Sequence, residues 1–326
     1  MSRIYQMSRL PHHIRSLAST GLLALALALG GCTSGESKVE SALQKTQDQL
    51  QQLAAALDAG KVRNATIIKQ YATVLKASRP ELVPLLVELE KDATTMGPVY
   101  QSLQQRYIAV KDNLEQFENW TDKVQELLAI QSAANPAIYN DALSDTVNVI
   151  ADLSQGELAR VNAISQEAEQ KANNAKNYGA GSQYIGNPHY GHWSHGSGGS
   201  FWAWYGQYHF FSSMFGGRRY YYNDWGRNRG YSYYNDVGRG NYTSRSQRAS
   251  QRDVDNRARK QFGSKGKYRS PYSKSRTGAS GMSRASSAQQ KSLLKSQYSS
   301  GGKTSKFQSR SRNSRHRTSR GVSRGK

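Results

Sequence analysis

The aliphatic residues of this chain are concentrated in one part of the sequence. Residues 32–177 contain 34 Leu, Ile and Val, whereas the 149 residues of 178–326 contain six. A globular core has to bury enough apolar surface to offset the entropy that the chain loses on folding. The distribution therefore predicts a folded N-terminal half followed by a low-complexity, largely disordered C-terminal half.

Charge divides at the same place. Residues 32–177 hold 14 basic and 19 acidic side chains, and residues 178–326 hold 28 basic and 4 acidic ones, within a total formal charge of +22. A polycationic segment of this kind favours polyanionic partners. The single cysteine, Cys32, excludes an intrachain disulfide framework and a cysteine-rich metal site.

Residues 1–31 have the pattern of a secretory signal peptide. Three arginines precede a mostly apolar run at 17–29, which is shorter than the ~20 residues of a membrane-spanning helix. A start at Met7 instead of Met1 leaves two of these arginines in place, so both starts fit the pattern.

The apolar run ends in Leu29-Gly30-Gly31-Cys32. This motif resembles the lipobox of bacterial lipoproteins, and the resemblance covers the targeting segment only. It implies that the Cys32 thiolate accepts the lipid and that acyl chains anchor the protein in a membrane. Because Thr33 rather than Asp follows the cysteine, the resemblance also implies sorting to the outer membrane, on its periplasmic face or at the cell surface.

Apolar residues recur at helical spacing through residues 32–177. The pattern predicts an all-α N-terminal half, built as an antiparallel helical bundle or a coiled coil. It leaves open whether the heptads pair within one chain or between chains, as in a homo-oligomer. The predicted elements are a heptad seam from Val39 to Leu57 that Gly60 ends, helices over 62–77 and around 82–89, one long helix from Pro98 to about 132 with Leu114 in its seam, and helices over 137–154 and 157–175.

No catalytic motif is found in the sequence. Asp141 and Asp145 form an i,i+4 carboxylate pair with Glu167 and Glu169 nearby, but no His, Cys or Arg accompanies them at helical spacing. We therefore predict a solvated face rather than an acid–base pair. Nucleophile-elbow, zinc-protease, Walker and dinucleotide motifs do not occur, so we expect neither an enzyme nor a cofactor.

Residues 178–243 form a glycine-rich segment with many aromatic residues. Twenty of the 65 residues in 178–242 are Tyr, Trp or Phe, and no charged residue lies between Lys176 and Arg218. The densest run contains Phe201, Trp202, Trp204 and Tyr205. We predict an interfacial patch at a membrane surface for these four residues. The alternatives are stacking on sugar rings or nucleobases, and self-association or packing on the helical domain.

Two smaller features lie in the same segment. Tyr221-Tyr222-Asn223-Asp224-Trp225-Gly226-Arg227 recurs twelve residues later as Tyr233-Tyr234-Asn235-Asp236-Val237-Gly238-Arg239. The Asn-Asp-x-Gly core predicts two turns that present aromatic and arginine side chains together. His189, His192 and His195 have a spacing that permits weak chelation of a transition metal. No carboxylate or thiolate in the uncharged stretch completes that set, so we predict no specific metal site.

Residues 244–326 are predicted to be a basic, disordered tail. Its last 71 residues hold 20 Lys and Arg and no acidic residue, so the tail should bind polyanions through counterion release. The predicted contact residues are Arg310, Arg312, Arg315, Arg317 and Arg320. We expect a structural or adhesive envelope protein whose partners are lipopolysaccharide, acidic glycan or anionic lipid; the alternative is a lipoprotein that binds extracellular DNA.

Overall fold

The computed structural model describes residues 34–114, 117–214 and 216–291. The signal peptide, the lipobox and the tail arginines 310–320 lie outside the described residues. The helices are α1 (Ser34–Asp58), α2 (Arg63–Ser78), α3 (Val83–Glu90), α4 (Pro98–Lys111), α5 (Trp120–Ala133), α6 (Pro136–Ala142), α7 (Ser144–Leu153), α8 (Gln166–Asn173), α9 (Phe210–Met214), α10 (Tyr222–Asn228), α11 (Arg239–Tyr242) and α12 (Arg245–Phe262). Strands β1 (Gly191–Gly196) and β2 (Gly199–Trp204) form an antiparallel hairpin.

Helix α1 carries the heptad seam that its sequence predicts. Leu50, Leu53 and Leu57 are buried, and α1 ends before Gly60, which has a positive φ of 66°. The seam packs within the chain, against α4 and α5. Hydrogen bonds between α4 and α1 pair residues in reverse order, and those between α1 and the end of α5 pair them in the same order, so α1 runs antiparallel to α4 and parallel to α5.

The long helix predicted from Pro98 to about residue 132 is wrong, because the chain forms two helices there. Asn113 adopts a left-handed conformation with φ 53° just after α4. The Asn119 side chain then accepts a hydrogen bond from the Asp122 amide at 3.0 Å and begins α5. Leu114, which the sequence places in the seam, is 72% exposed.

The prediction of a largely disordered C-terminal half is also wrong. Between residues 178 and 291 the chain forms the β1–β2 hairpin, four helices and a five-residue π-helical turn at Tyr234–Gly238. Tyrosine and tryptophan supply the apolar surface that the segment lacks in Leu, Ile and Val, since each such side chain buries about 150–250 Å². A count of Leu, Ile and Val alone therefore underestimates the apolar surface that this segment can bury.

The main core includes side chains from both halves of the sequence. Aromatic residues from beyond position 177 pack with the aliphatic side chains of the N-terminal helices; the buried ones are Tyr184, Tyr190, Tyr208, Phe211, Tyr233, Tyr234 and Tyr242. A smaller cluster around Trp202, Tyr222 and Trp225 joins the hairpin to α10 and α12. The protein therefore does not separate into a helical spacer and an unstructured remainder within the described residues.

Buried carboxylates connect the two halves. The Asp92 carboxylate accepts hydrogen bonds from the hydroxyls of Thr146 at 2.6 Å and Tyr190 at 2.8 Å. Burial raises the pKa of Asp92 to about 6, although these hydroxyl donors oppose the rise. The rings of Tyr184 and Tyr190 stack beside it, with centroids 3.6 Å apart.

The solvated face predicted for Asp141 and Asp145 is wrong, because both residues are buried. The Asp145 carboxylate accepts hydrogen bonds from the backbone amides of Tyr233 at 2.8 Å and Tyr234 at 3.0 Å. Asp141 accepts one from the Ser283 amide at 2.9 Å. Burial raises the pKa of Asp145 to about 7. Each carboxylate therefore holds backbone that is about 90 residues or more distant in sequence.

Among the described residues, none of the helices combines the length and the apolar character needed to cross a bilayer.

Candidate functional site

The candidate site is built where the π-helical turn at Tyr234–Gly238 meets helix α12. Asp145 holds the start of this turn through the two amides described above. Helix α12 begins at a capping box, in which the Ser244 hydroxyl accepts from the Gln247 amide and the Gln247 side chain accepts from the Ser244 amide. Both devices fix the backbone that carries the site. π-helical turns are often found at functional sites.

A buried ion pair forms the floor of the site. The Arg229 guanidinium donates to both carboxylate oxygens of Asp236, at 2.8 and 2.7 Å. The carboxylate also accepts from the backbone amides of Ser232 and Arg276. Burial acts to lower the pKa of Arg229, but Asp236 raises it above the usual value, so the guanidinium stays charged.

A concave pocket of about 260 Å³ lies above this ion pair; we call it the basic pocket. Its lining has four basic side chains and one acidic side chain. The lining residues are Arg229, Asn235, Asp236, Val237, Arg239, Gly240, Arg248, Tyr272, Lys274, Ser275 and Gln290.

Two of the four cations pair with carboxylates and two do not. Arg229 pairs with Asp236, and Arg248 pairs at 3.0 Å with Glu126, a carboxylate that it shares with Arg106. Arg239 and Lys274 form no ion pair with any described residue. The basic pocket therefore has an uncompensated positive charge of at least two, because Glu126 is shared between two guanidinium groups.

Arg239 is held in place although it lacks a carboxylate partner. Its guanidinium lies 3.6 Å from the centroid of the Tyr272 ring, and its Nε donates to the Gln251 side-chain oxygen at 2.8 Å. Both contacts leave guanidinium donors unused. A fixed guanidinium with free donors is the usual way in which proteins bind phosphate and carboxylate groups.

The surroundings of the basic pocket add to its positive potential. Arg276 follows the pocket residues Lys274 and Ser275, and its buried Nε has no acceptor among the described residues. Burial lowers the pKa of Arg276, and the positive charges of Arg229 and Arg269 lower it further.

The four aromatic residues predicted to form an interfacial patch do not share one environment. Trp202 is 4% exposed and packs in the smaller cluster, with its ring 5.2 Å from that of Trp193. The prediction is therefore wrong for Trp202. Phe201 and Trp204 are partly buried, and Tyr205 is exposed.

The structure does not bring the three histidines together. His189 is buried and its Nδ1 lies 2.6 Å from the Asn187 side-chain oxygen. Burial lowers its pKa to about 3, so His189 stays neutral. His192 and His195 project from opposite faces of β1, because strand side chains alternate. No group of three or more potential metal ligands occurs among the described residues.

Both copies of the sequence repeat form helical turns instead of the two predicted reverse turns. The first begins α10, and the second forms the π-helical turn. Their tyrosines 222, 233 and 234 are buried rather than presented to solvent. The sequence predicted anion binding for the tail 244–326, which includes Lys274 although the named contact residues were the arginines 310–320, and Arg239 lies outside that tail. The position of Arg239 at the end of the second repeat was the available signal.

No model of a protein family, no curated protein and no solved structure matches the chain.

Proposed function

We propose that this protein is a lipid-anchored, non-enzymatic component of a bacterial cell envelope that binds the phosphate or carboxylate groups of envelope polymers. The observation that carries the proposal is the basic pocket, with Arg239 held over Tyr272 and without a carboxylate partner among the described residues. The basic tail adds further attraction that is sensitive to salt and unspecific.

The surface next to the start of α1 supports the anchored arrangement. Cys32 precedes Ser34, the first residue of α1, by two positions, a distance of about 7 Å at most. Trp120 lies beside Gly35 and is 42% exposed, with the Lys38 ammonium 5.0 Å from its ring centroid. Tryptophan and lysine side chains of this kind suit the interface between membrane and water.

The shape of the basic pocket favours an envelope polymer over DNA. A concavity of about 260 Å³ is large enough for one anionic group and its neighbouring atoms. Duplex DNA is instead bound by cations that are spread along an extended surface. Phosphorylated lipopolysaccharide and acidic glycans both present single anionic groups on flexible chains.

The double variant Arg239→Gln with Lys274→Gln should lose about tenfold or more in affinity for tripolyphosphate, measured by calorimetry on the full chain. Charge-assisted hydrogen bonds contribute about 1.5–3 kcal/mol, and 1.4 kcal/mol corresponds to tenfold. Lys260→Gln with Lys265→Gln removes the same charge from exposed positions outside the pocket and should change the affinity less than about twofold.

Two results would contradict the proposal. Equal losses in both double variants would assign the binding to net charge alone. The second contradicting result is tighter binding of duplex DNA than of lipopolysaccharide at equal phosphate concentration and equal salt, with a DNA affinity that Arg239→Gln does not change. That result would favour the DNA-binding alternative.

The anchor is tested separately with Cys32→Ser in a bacterium that has two membranes. Because Cys32 is the only thiol in the chain, we expect this variant to accumulate as unprocessed or soluble protein. Wild type should fractionate with the outer membrane and incorporate labelled fatty acid. If the variant stays in the membrane fraction and wild type takes up no label, the lipid anchor is excluded.

A further inference from the structure

A second concavity, of about 320 Å³, lies between the hairpin and α12. We call it the aromatic cleft. One wall is formed by the hairpin and the residue that follows it, through His192, Trp193, Trp202 and Tyr205. The opposite wall is the first half of α12, which contributes Ser246, Gln247, Ser250, Gln251 and Val254. None of the lining residues is Lys, Arg, Asp or Glu, so the cleft differs from the basic pocket in the charge of ligand that it suits.

The hairpin wall presents a flat aromatic surface. The rings of His192 and Tyr205 stack with centroids 5.7 Å apart and an interplanar angle of 28°, and both residues are exposed. A stacked pair that remains open to solvent provides an apolar platform with a negative face. The axial C–H groups of a pyranose ring form an apolar, slightly positive face of similar dimensions, and they pack against such a platform.

The cleft also has hydroxyl groups in its lining. On the opposite wall, Ser246 and Ser250 are exposed and lie one helical turn apart. A polyhydroxylated ligand offers both donors and acceptors to these hydroxyls.

Gln251 lies between the aromatic cleft and the basic pocket. It lines the cleft, and its side-chain oxygen accepts the hydrogen bond from Arg239 in the basic pocket. From these observations we infer that the aromatic cleft binds an uncharged hexopyranose unit. The inference rests on the proposed function in one respect: the sugar belongs to the same polymer whose anionic group enters the basic pocket. The ligand class is then a glycan that carries both neutral sugar units and acidic substituents.

The test uses the full chain and three uncharged tetrasaccharides, built from glucose, galactose and N-acetylglucosamine. At least one should bind and change the tryptophan fluorescence, because Trp193 and Trp202 line the cleft. Tyr205→Ala should weaken that binding by about fivefold or more, given that stacking on an aromatic ring contributes about 1–3 kcal/mol. Tyr205→Phe keeps the ring and should bind as wild type does.

Tyr221→Ala is the matched control, since Tyr221 is also an exposed tyrosine near the hairpin but does not line the cleft. It should leave tetrasaccharide binding unchanged. Ser250→Trp fills the cleft from the exposed face of α12 and should abolish binding without disturbing the core.

To distinguish the two sites, each site's variant is tested with the ligand of the other site. Tyr205→Ala should leave tripolyphosphate affinity unchanged, and Arg239→Gln with Lys274→Gln should leave tetrasaccharide affinity unchanged. If no tetrasaccharide binds while tripolyphosphate does, the sugar site is refuted and the anion site stands. Tighter binding of adenosine than of any tetrasaccharide, lost in Tyr205→Ala, would also overturn the inference, because the platform would then select nucleobases.

Discussion

Asp236→Ala is expected to lower the free energy of unfolding by about 3–5 kcal/mol, the usual result of removing one partner from a buried ion pair. The change leaves the Arg229 guanidinium buried without a counter-ion. It also removes the acceptor of the Ser232 and Arg276 amides. Denaturant unfolding followed by circular dichroism measures the loss.

The control for this prediction is Asp253→Ala on α12. Asp253 is exposed and forms no ion pair among the described residues, so its removal should change the free energy of unfolding by about 0.5 kcal/mol or less. The double variant Arg229→Met with Asp236→Leu should cost less than the sum of Arg229→Met and Asp236→Leu, because no charge is left unpaired. Additive losses would show that the pair acts as two independent residues.

Local patterns in the sequence predicted α1 and α2 well, whereas the helix expected over 137–154 is two helices and the one expected over 157–175 begins only at Gln166. The seam at Leu50, Leu53 and Leu57 is buried, and the turn at Gly60 ends α1. These features depend on residues within two helical turns of one another, so spacing alone is enough to predict them. The break near Asn113 was missed because the apolar period continues through it to Leu114, which the chain leaves exposed.

The C-terminal half was mispredicted because its core is aromatic and its polar groups are satisfied at long range. Asp145 is an acidic residue within a predicted helix, so the sequence alone favours a solvent-exposed position for it. Its partners, the amides of Tyr233 and Tyr234, lie almost 90 residues away. Such a long-range contact leaves no periodic pattern in the sequence. Without knowledge of the contact, the tyrosine-rich segment has few aliphatic side chains to bury and no evident acceptor for its backbone N–H groups.

The candidate site was only partly predictable for the same reason. Sugar stacking was one of the alternatives for the aromatic run, and Tyr205 belongs to that run, although it was named there for the interfacial patch. The hydroxyl wall of the aromatic cleft comes from α12, which was assigned to a disordered tail. Arg239 and Lys274 are 35 residues apart in sequence and come together only through the fold around Tyr272.

The sequence pattern suggests that residues 33–177 form an independent bundle, whereas the structure indicates that the fragment 34–177 does not fold cooperatively. Eight buried hydrophobic residues of the main core come from beyond position 177. At about 25 cal/mol per Å² of buried apolar surface, losing several tyrosines removes free energy comparable to the whole stability of a typical domain, about 5–15 kcal/mol.

The fragment also lacks the hydrogen-bond donors that three buried carboxylates need. Without residues beyond 177, Asp145 has neither of its amide donors, Asp92 has no Tyr190 hydroxyl, and Glu126 has no Arg248. Each carboxylate then has fewer hydrogen bonds, which destabilises its charged form, although Glu126 keeps its ion pair with Arg106.

The fragment 34–177 should therefore keep helical far-ultraviolet circular dichroism, since α1 and α2 have strong local signals, but lose a cooperative melt and near-ultraviolet signals. The fragment 34–291 retains the complete described core and should melt in one transition. Calorimetry on the two fragments at equal concentration makes the comparison. A single transition in 34–177 at the midpoint of 34–291 would mean that the tyrosine-rich half docks on a bundle that is already stable. Such a result would support the independent helical spacer that the heptads suggest. The bundle would then fold first, and the aromatic core would form on it without being needed for its stability.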